Sequence, residues 1–341
     1  MTQSDNGLDQ VIDGLYDSSH VLLSSHVRSD PDAIGSELGL SFLLKHLDRT
    51  VEIANHGGVD EHCSWLPGAD QIKSGTADIT GDHDTFVTVD CANRERLGDL
   101  SPLVDESETV INIDHHESND LFGDVNWIRP ACSSVGEMVF EIWDRTEFEL
   151  SRDPAECIYT SIVSDTGQFA FPQTSARSHE VTARLLEKGV QPQEVSGKLF
   201  QNYERSELDL MSYVIDNLRE ASDCPFSWST LDREAYRTCG TEPWDSQPYV
   251  QLVMQLKNVE VGLLLRRLRD PEVSGQHQGN IKGSLRSRGM YDVGAIAGLF
   301  GGGGHAQAAG FVVEDQSDME QAERRVIDRI KEAIKHGNFK Q

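Results

Sequence analysis

The chain has 341 residues, with 57 Asp and Glu against 30 Lys and Arg, giving a formal charge of -27. The length suits two domains better than one core. The charge argues against a broad basic groove for long nucleic acid, and leaves room for a short anionic substrate held by a few Arg, His and metal ions.

In chain order, residues 20–25 (HVLLSS) read as a buried strand. Residues 32–47 carry Ile34, Leu38, Phe42 and Leu43 at helical spacing. Short strands are expected at 51–54, 85–89 and 109–113, and helices at 133–145 and 155–163. This alternation predicts an α/β domain, a mainly parallel sheet flanked by helices. From 178 to 218 the pattern becomes helical and polar, reading as a last helix of the first domain and then a linker helix. Beyond Asp223, strands at 226–231, 259–268, 281–286 and 308–314, with helices at 293–300 and 319–334, predict a smaller α+β domain. The expected division is 1–190, a linker helix at 191–222, and 223–341.

Four clusters of metal-binding residue types sit at or just after predicted strand ends. His26, Asp30 and Asp32 follow the first strand, where open α/β sheets bind their ligands. A plain helix start explains Asp30 and Pro31 equally well, as N-cap and first helical residue, but leaves His26 unexplained. Asp90 ends the 85–89 run and alone reads as a loop start. Asp114, His115 and His116 end the 109–113 run. Adjacent side chains point in different directions, so the two histidines are expected to have different jobs. Asp165 opens an Asp-Thr-Gly segment that reads either as a helix C-terminal turn or as a carboxylate held over a site. Oxygen and imidazole ligands without thiolate suit Mn²⁺ or Mg²⁺ rather than structural zinc. Their number suffices for two ions sharing a carboxylate, a common solution for hydrolysis at phosphorus.

In the second domain, Gly301 to Gly304 precede His305. Glycine lets backbone N–H groups approach and cradle a phosphate. A helix stop would need fewer glycines. Arg286 and Arg288 share strand parity and so one face, and their planar forks suit phosphate. Arg266, Arg267 and Arg269 read as surface residues.

Taken together, the order His-x-x-x-Asp-x-Asp, lone Asp, Asp-His-His and Asp-Thr-Gly resembles the DHH phosphoesterase family. The Gly-rich segment before His305, followed by Ala308-Ala309-Gly310, resembles the DHH-associated domain. The layout resembles the nanoRNase and phosphoadenosine-phosphate phosphatase subgroup. That resemblance implies two Mn²⁺ ions, with Mg²⁺ as an alternative, and hydrolysis of short RNA or DNA oligonucleotides or removal of the 3′-phosphate of phosphoadenosine phosphate. It implies that His26, Asp30 and Asp90 hold one ion and that Asp32, Asp90, His115 and Asp165 hold the other. His116 would act at the scissile phosphate, with Asp114 orienting the histidines. Arg286, Arg288, Gly302, Gly303, Gly304 and His305 would bind substrate.

Two other functions stay open: hydrolysis of a cyclic dinucleotide or its linear product, and a non-catalytic nucleotide sensor. The six cysteines form no Cys-x-x-Cys pair and read as buried thiols in a reducing compartment. No signal-peptide core or membrane-length apolar run is present in the sequence. A cytoplasmic protein without a membrane partner is expected, with a homodimer as one assembly open to it.

Overall fold

A computed structural model describes residues 3–241, 247–268, 280–313, 319–337 and 339–340. The chain divides into two compact units, Met1–Asn202 and Tyr203–Gln341.

The first unit is built on a six-stranded, wholly parallel sheet. Its strands are β1 (His20–Ser24), β2 (Thr50–Asn55), β3 (Ile72–Ser74), β4 (Thr85–Val89), β5 (Thr109–Asp114) and β6 (Val125–Ile128). Their order is β3-β2-β1-β4-β5-β6. The direction of strand addition therefore reverses between β1 and β4, which opens a crevice at their carboxyl ends. Helices α1 (Gln3–Asp17), α2 (Pro31–His46), α3 (Val135–Asp144), α4 (Arg152–Asp165) and α5 (Ala176–Glu187) belong to this unit, as does α6 (Pro192–Phe200). Parallel strands covered on both faces must be apolar throughout, and all five β4 residues are buried. Helix α2 is buried on most sides because it lies under α4. A Cβ at Gly35 would stand 2.4 Å from the Cys157 carbonyl oxygen, so only glycine permits that approach.

The second unit has a mixed sheet ordered β11-β12-β10-β9-β8-β7. Its strands are β7 (Arg219–Glu220), β8 (Phe226–Leu231), β9 (Val261–Arg267), β10 (Ile281–Ser287), β11 (Gly303–His305) and β12 (Ala308–Val313). Strands β8 and β9 are parallel, and the other pairs are antiparallel. Helices α7 (Arg205–Asp216), α8 (Arg233–Cys239), α9 (Gln247–Val253), α10 (Val293–Gly298) and α11 (Met319–His336) complete it. Two apolar clusters sandwich β9: Val261, Leu263 and Leu265 join one, and Leu264 joins the other.

The α/β reading of the first half and the smaller second domain agree with the structure. Several features differ from expectation, among them helices α8 and α9 and strands β7 and β11. Helix α1 was unexpected, as were β3 and β6, which have only 3 and 4 residues. Arg266 and Arg267, read as surface, are 2% and 9% exposed. They lie on a central strand covered on both faces, and that coverage is invisible in local sequence. Arg269, and Glu314 at the end of the expected 308–314 strand, lie outside the described residues. Among the described residues, no helix is long and apolar enough to cross a membrane.

Candidate metal centre

The carboxyl ends of β1, β4 and β5, with the ends of α2 and α4, bring six side chains together. His26 is 4% exposed. Its Nδ1 lies 2.9 Å from the Val27 carbonyl oxygen. Its Nε2 lies 3.9 Å from Asp30 and 3.2 Å from Asp90, within hydrogen-bond distance of the latter, and is the ring nitrogen that a cation would take. Asp30 serves two purposes at once. Its Oδ1 caps α2 by accepting from the N–H groups of Asp32 and Ala33, while Oδ2 faces His26.

Asp32 lies in the first turn of α2 and is fixed by four donors. Its Oδ1 accepts from Ser36 Oγ at 3.0 Å, Ser161 Oγ at 2.5 Å and Gly136 N at 3.3 Å, and Oδ2 accepts from Val135 N at 3.1 Å. His115 Nδ1 lies 3.2 Å from the Cys132 carbonyl oxygen. Its Nε2 lies 3.7 Å from Asp32, 3.6 Å from Asp90 and 3.5 Å from Asp165. Asp165 closes α4, where Gln173 Nε2 donates to its carbonyl at 2.7 Å.

Asp90 connects the two halves of the site. Its Oδ2 faces His26, and its Oδ1 faces His115 at 3.6 Å and His116 at 3.5 Å. The residue adopts φ = 54°, a left-handed conformation uncommon for any side chain except Asn and Asp. Its N–H donates to the Ile113 carbonyl at 3.0 Å, locking β4's end to β5. Asp90 Oδ1 is buried, and among the described residues it receives no hydrogen bond.

These separations fit cation ligands better than hydrogen bonds. Contacts of 3.5 to 3.9 Å are too long for hydrogen bonds. Ligand atoms each about 2.1 Å from one octahedral ion lie about 3–4 Å from one another. Three overlapping groups have this spacing: His26, Asp30 and Asp90; Asp32, His115 and Asp165; and Asp90, His115 and His116. The orphaned Asp90 oxygen and the two carbonyl-bound imidazoles fit divalent ions with oxygen and nitrogen ligands.

The electrostatics show the same crowding. Burial, then repulsion from Asp90, pushes the Asp32 carboxyl up to about 7, against relief from His115. Burial and the charge of Asp32 raise Asp165 well above the carboxylate range. Burial opposes the charged form of His115, but Asp165, Asp32 and Asp90 outweigh it and lift the imidazole to about 10. Burial likewise opposes the charged form of His116, and the bond to Asp114 with the charge of Asp90 raises it.

Asp114 is fully buried and touches both histidines. Its Oδ1 accepts from His115 N at 2.8 Å and lies 2.7 Å from His116 Nδ1, while Oδ2 accepts from Asn119 Nδ2 at 2.6 Å. Sequence reasoning missed Asn119, Ser36, Ser161 and the Cys132 carbonyl. The available signal was weak: Ser161 stands one helical turn before Asp165.

In the second unit, Gly303, Gly304 and His305 form β11, an exposed strand paired with β12. A Cβ at Gly302 would lie 2.2 Å from the Gly310 carbonyl oxygen, so this glycine is required by close packing. One at Gly303 would meet nothing within 4 Å. Arg286 is half-buried in β10, and its Nη1 donates to the Leu285 carbonyl at 3.0 Å. Arg288 lies just beyond β10, and its Nη2 donates to the Met254 carbonyl at 2.7 Å. The two arginines therefore do not share one strand face.

Residues 20–162 match the DHH family, N-terminal domain, and residues 242–335 match the DHHA1 domain. The bifunctional oligoribonuclease and PAP phosphatase NrnA of Thermus thermophilus is 30% identical over 321 residues, covering 94% of this chain and 91% of that protein. The Bacillus subtilis protein of the same name is 27% identical over 299 residues, covering 87% and 89%. The crystal structure of an exopolyphosphatase-related protein from Bacteroides fragilis superposes with a TM-score of 0.87 at 27% identity, covering 99% of this chain and 100% of that one. The chain belongs to the DHH family of phosphoesterases, with a DHHA1 domain in its second half.

Proposed function

We propose that this protein hydrolyses short oligoribonucleotides to mononucleotides and removes the 3′-phosphate of phosphoadenosine phosphate, with two Mn²⁺ ions as cofactor. The observation that carries the two-ion reading is Asp90, which turns one oxygen to His26 and the other to His115. His26, Asp30 and Asp90 would hold one ion, and Asp32, Asp90, His115 and Asp165 the other. Such a pair supplies Lewis-acid polarisation of the phosphoryl group and a nucleophile from water at neutral pH. Mg²⁺ is the alternative occupant, since it accepts the same hard ligands.

His116 is suited to the leaving group. Asp114 fixes its Nδ1 and favours the protonated ring, so the imidazole holds a proton that a departing oxygen can take. Asn119 and the His115 N–H in turn hold Asp114. Residues 1–190 form the catalytic domain in this reading, and 223–341 the substrate domain. In the latter, Arg286, Arg288, His305 and the N–H groups of Gly302 to Gly304 bind substrate phosphate or base. The preference for short substrates rests on the similarity to the NrnA proteins and on the formal charge of -27.

The test is hydrolysis by purified protein with Mn²⁺, at low and high salt, of a short RNA, a long RNA, phosphoadenosine phosphate and pyrophosphate. Faster turnover of the short RNA and phosphoadenosine phosphate is expected. Turnover of pyrophosphate alone would refute the proposal.

A further inference from the structure

The metal centre leaves an electrostatic deficit that its own residues define. Asp30, Asp32, Asp90 and Asp165 line it, and Asp114 stands directly behind the histidines. Five ionised carboxylates and two divalent cations carry a net charge of -1, which a protonated His116 brings to neutrality, so an added phosphate ester makes the cluster negative. A phosphate ester arriving there needs a cation from the protein.

Arg96 is placed to supply it. The residue belongs to the 3-10 stretch Arg94–Asp105 that follows Asp90. Its N–H donates to Asn93 Oδ1 at 3.1 Å, and its carbonyl accepts from Val27 N at 2.6 Å. These bonds pin Arg96 to the loop that carries His26. Two residues on, Gly98 packs so closely that a Cβ would come within 2.8 Å of Val27 Cγ1. Arg96 thus stands between the Asp90 end of β4 and the loop that carries His26.

The guanidinium itself is uncommitted. Arg96 is half-buried, and among the described residues its side chain makes no hydrogen bond or ion pair. Arg94, two residues earlier, is bound to Asp105. A planar guanidinium matches phosphate oxygens in pairs.

Building on the hydrolytic reading above, we infer that Arg96 binds the phosphoryl group of the substrate at the metal centre, adding a phosphate-binding residue within the first unit itself. Inorganic phosphate is the probe. It is titrated calorimetrically into Mn²⁺-loaded wild type, Arg96→Gln and Arg96→Lys, with the metal content of each measured first. Arg96→Gln should bind phosphate roughly 10- to 100-fold more weakly with unchanged metal content, and Arg96→Lys should recover part of the loss. Equal phosphate affinity in Arg96→Gln and wild type would overturn the inference. So would loss of metal from Arg96→Gln, which would make the residue a support for the His26 loop. If the wild type cleaves no substrate yet Arg96→Gln still loses phosphate affinity, the anion site stands and the hydrolytic reading fails.

Discussion

On the proposed function, the two units would hold a charged ligand in opposite ways. In the first, charged side chains are buried and then fixed by many bonds: Asp32 alone accepts from four donors. In the second, the candidate residues sit on an exposed hairpin whose shape is set by backbone, with Gly302 packed where no side chain fits. Buried charge gives strong, short-range electrostatics at a cost in desolvation. An exposed glycine hairpin costs little desolvation and offers N–H groups. The first arrangement suits ions that stay, and the second suits a substrate that comes and goes.

The largest effect that would test this contrast is at Asp90. Asparagine tolerates the same left-handed backbone, so Asp90→Asn removes charge without adding strain. Turnover is expected to fall on the order of a thousandfold, with loss of bound Mn²⁺ measured by elemental analysis. Full metal content in that variant would remove Asp90 from the shared position.

Next in size is Glu37, a buried carboxyl beneath the site that accepts from Asn55 Nδ2 at 2.8 Å. Its other oxygen is buried without a partner among the described residues. Burial outweighs the help of Asn55 and His26 and pushes this carboxyl up to about 8, from an ordinary value of 4.5. Between those values the unfolded chain has released a proton that the folded chain keeps, so stability falls as pH rises. Glu37→Gln removes the slope. Its melting temperature should drop less than that of wild type between about pH 5 and about pH 8, with a gain on the order of a few kcal/mol at the upper end. Parallel melting curves for the two proteins would show that the first unit is indifferent to this buried charge.

The smallest effect distinguishes shape from chemistry in the second unit. Gly302→Ala should destabilise by about 1–3 kcal/mol in denaturant unfolding, because its Cβ would overlap the Gly310 carbonyl. Gly303→Ala should stay within about 0.5 kcal/mol. Neither should alter metal content. Equal stabilities would mean that the hairpin relaxes freely, and the contrast between the units would weaken.

The legible part of the molecule was the part with short-range grammar. Strands β1, β4 and β5 read as short, mainly apolar runs because both faces of a parallel sheet are covered, and an acid or histidine at the end of each run marks its carboxyl end. Helix α1 was hidden by its polar start, although Leu8, Val11 and Leu15 recur at helical spacing and are buried. Strands β3 and β6 are too short to show a period. The bonds that orient the site were illegible for a different reason. Ser161 reaches Asp32, and Cys132 reaches His115, across long sequence separations using common residue types. Asp30 illustrates the limit of choosing between readings: it is a helix cap and a site residue together, one oxygen for each.

The dispersal of the donor atoms has a consequence for biosynthesis. His26 and Asp30 are made early, but Asp90 must be present, and held left-handed by its bond to Ile113, before the first group is complete. The second group waits for Asp165 at the end of α4. On the two-ion reading, a nascent chain still lacking α4 would have an incomplete site, and the second ion could be held only once Asp165 had emerged from the ribosome.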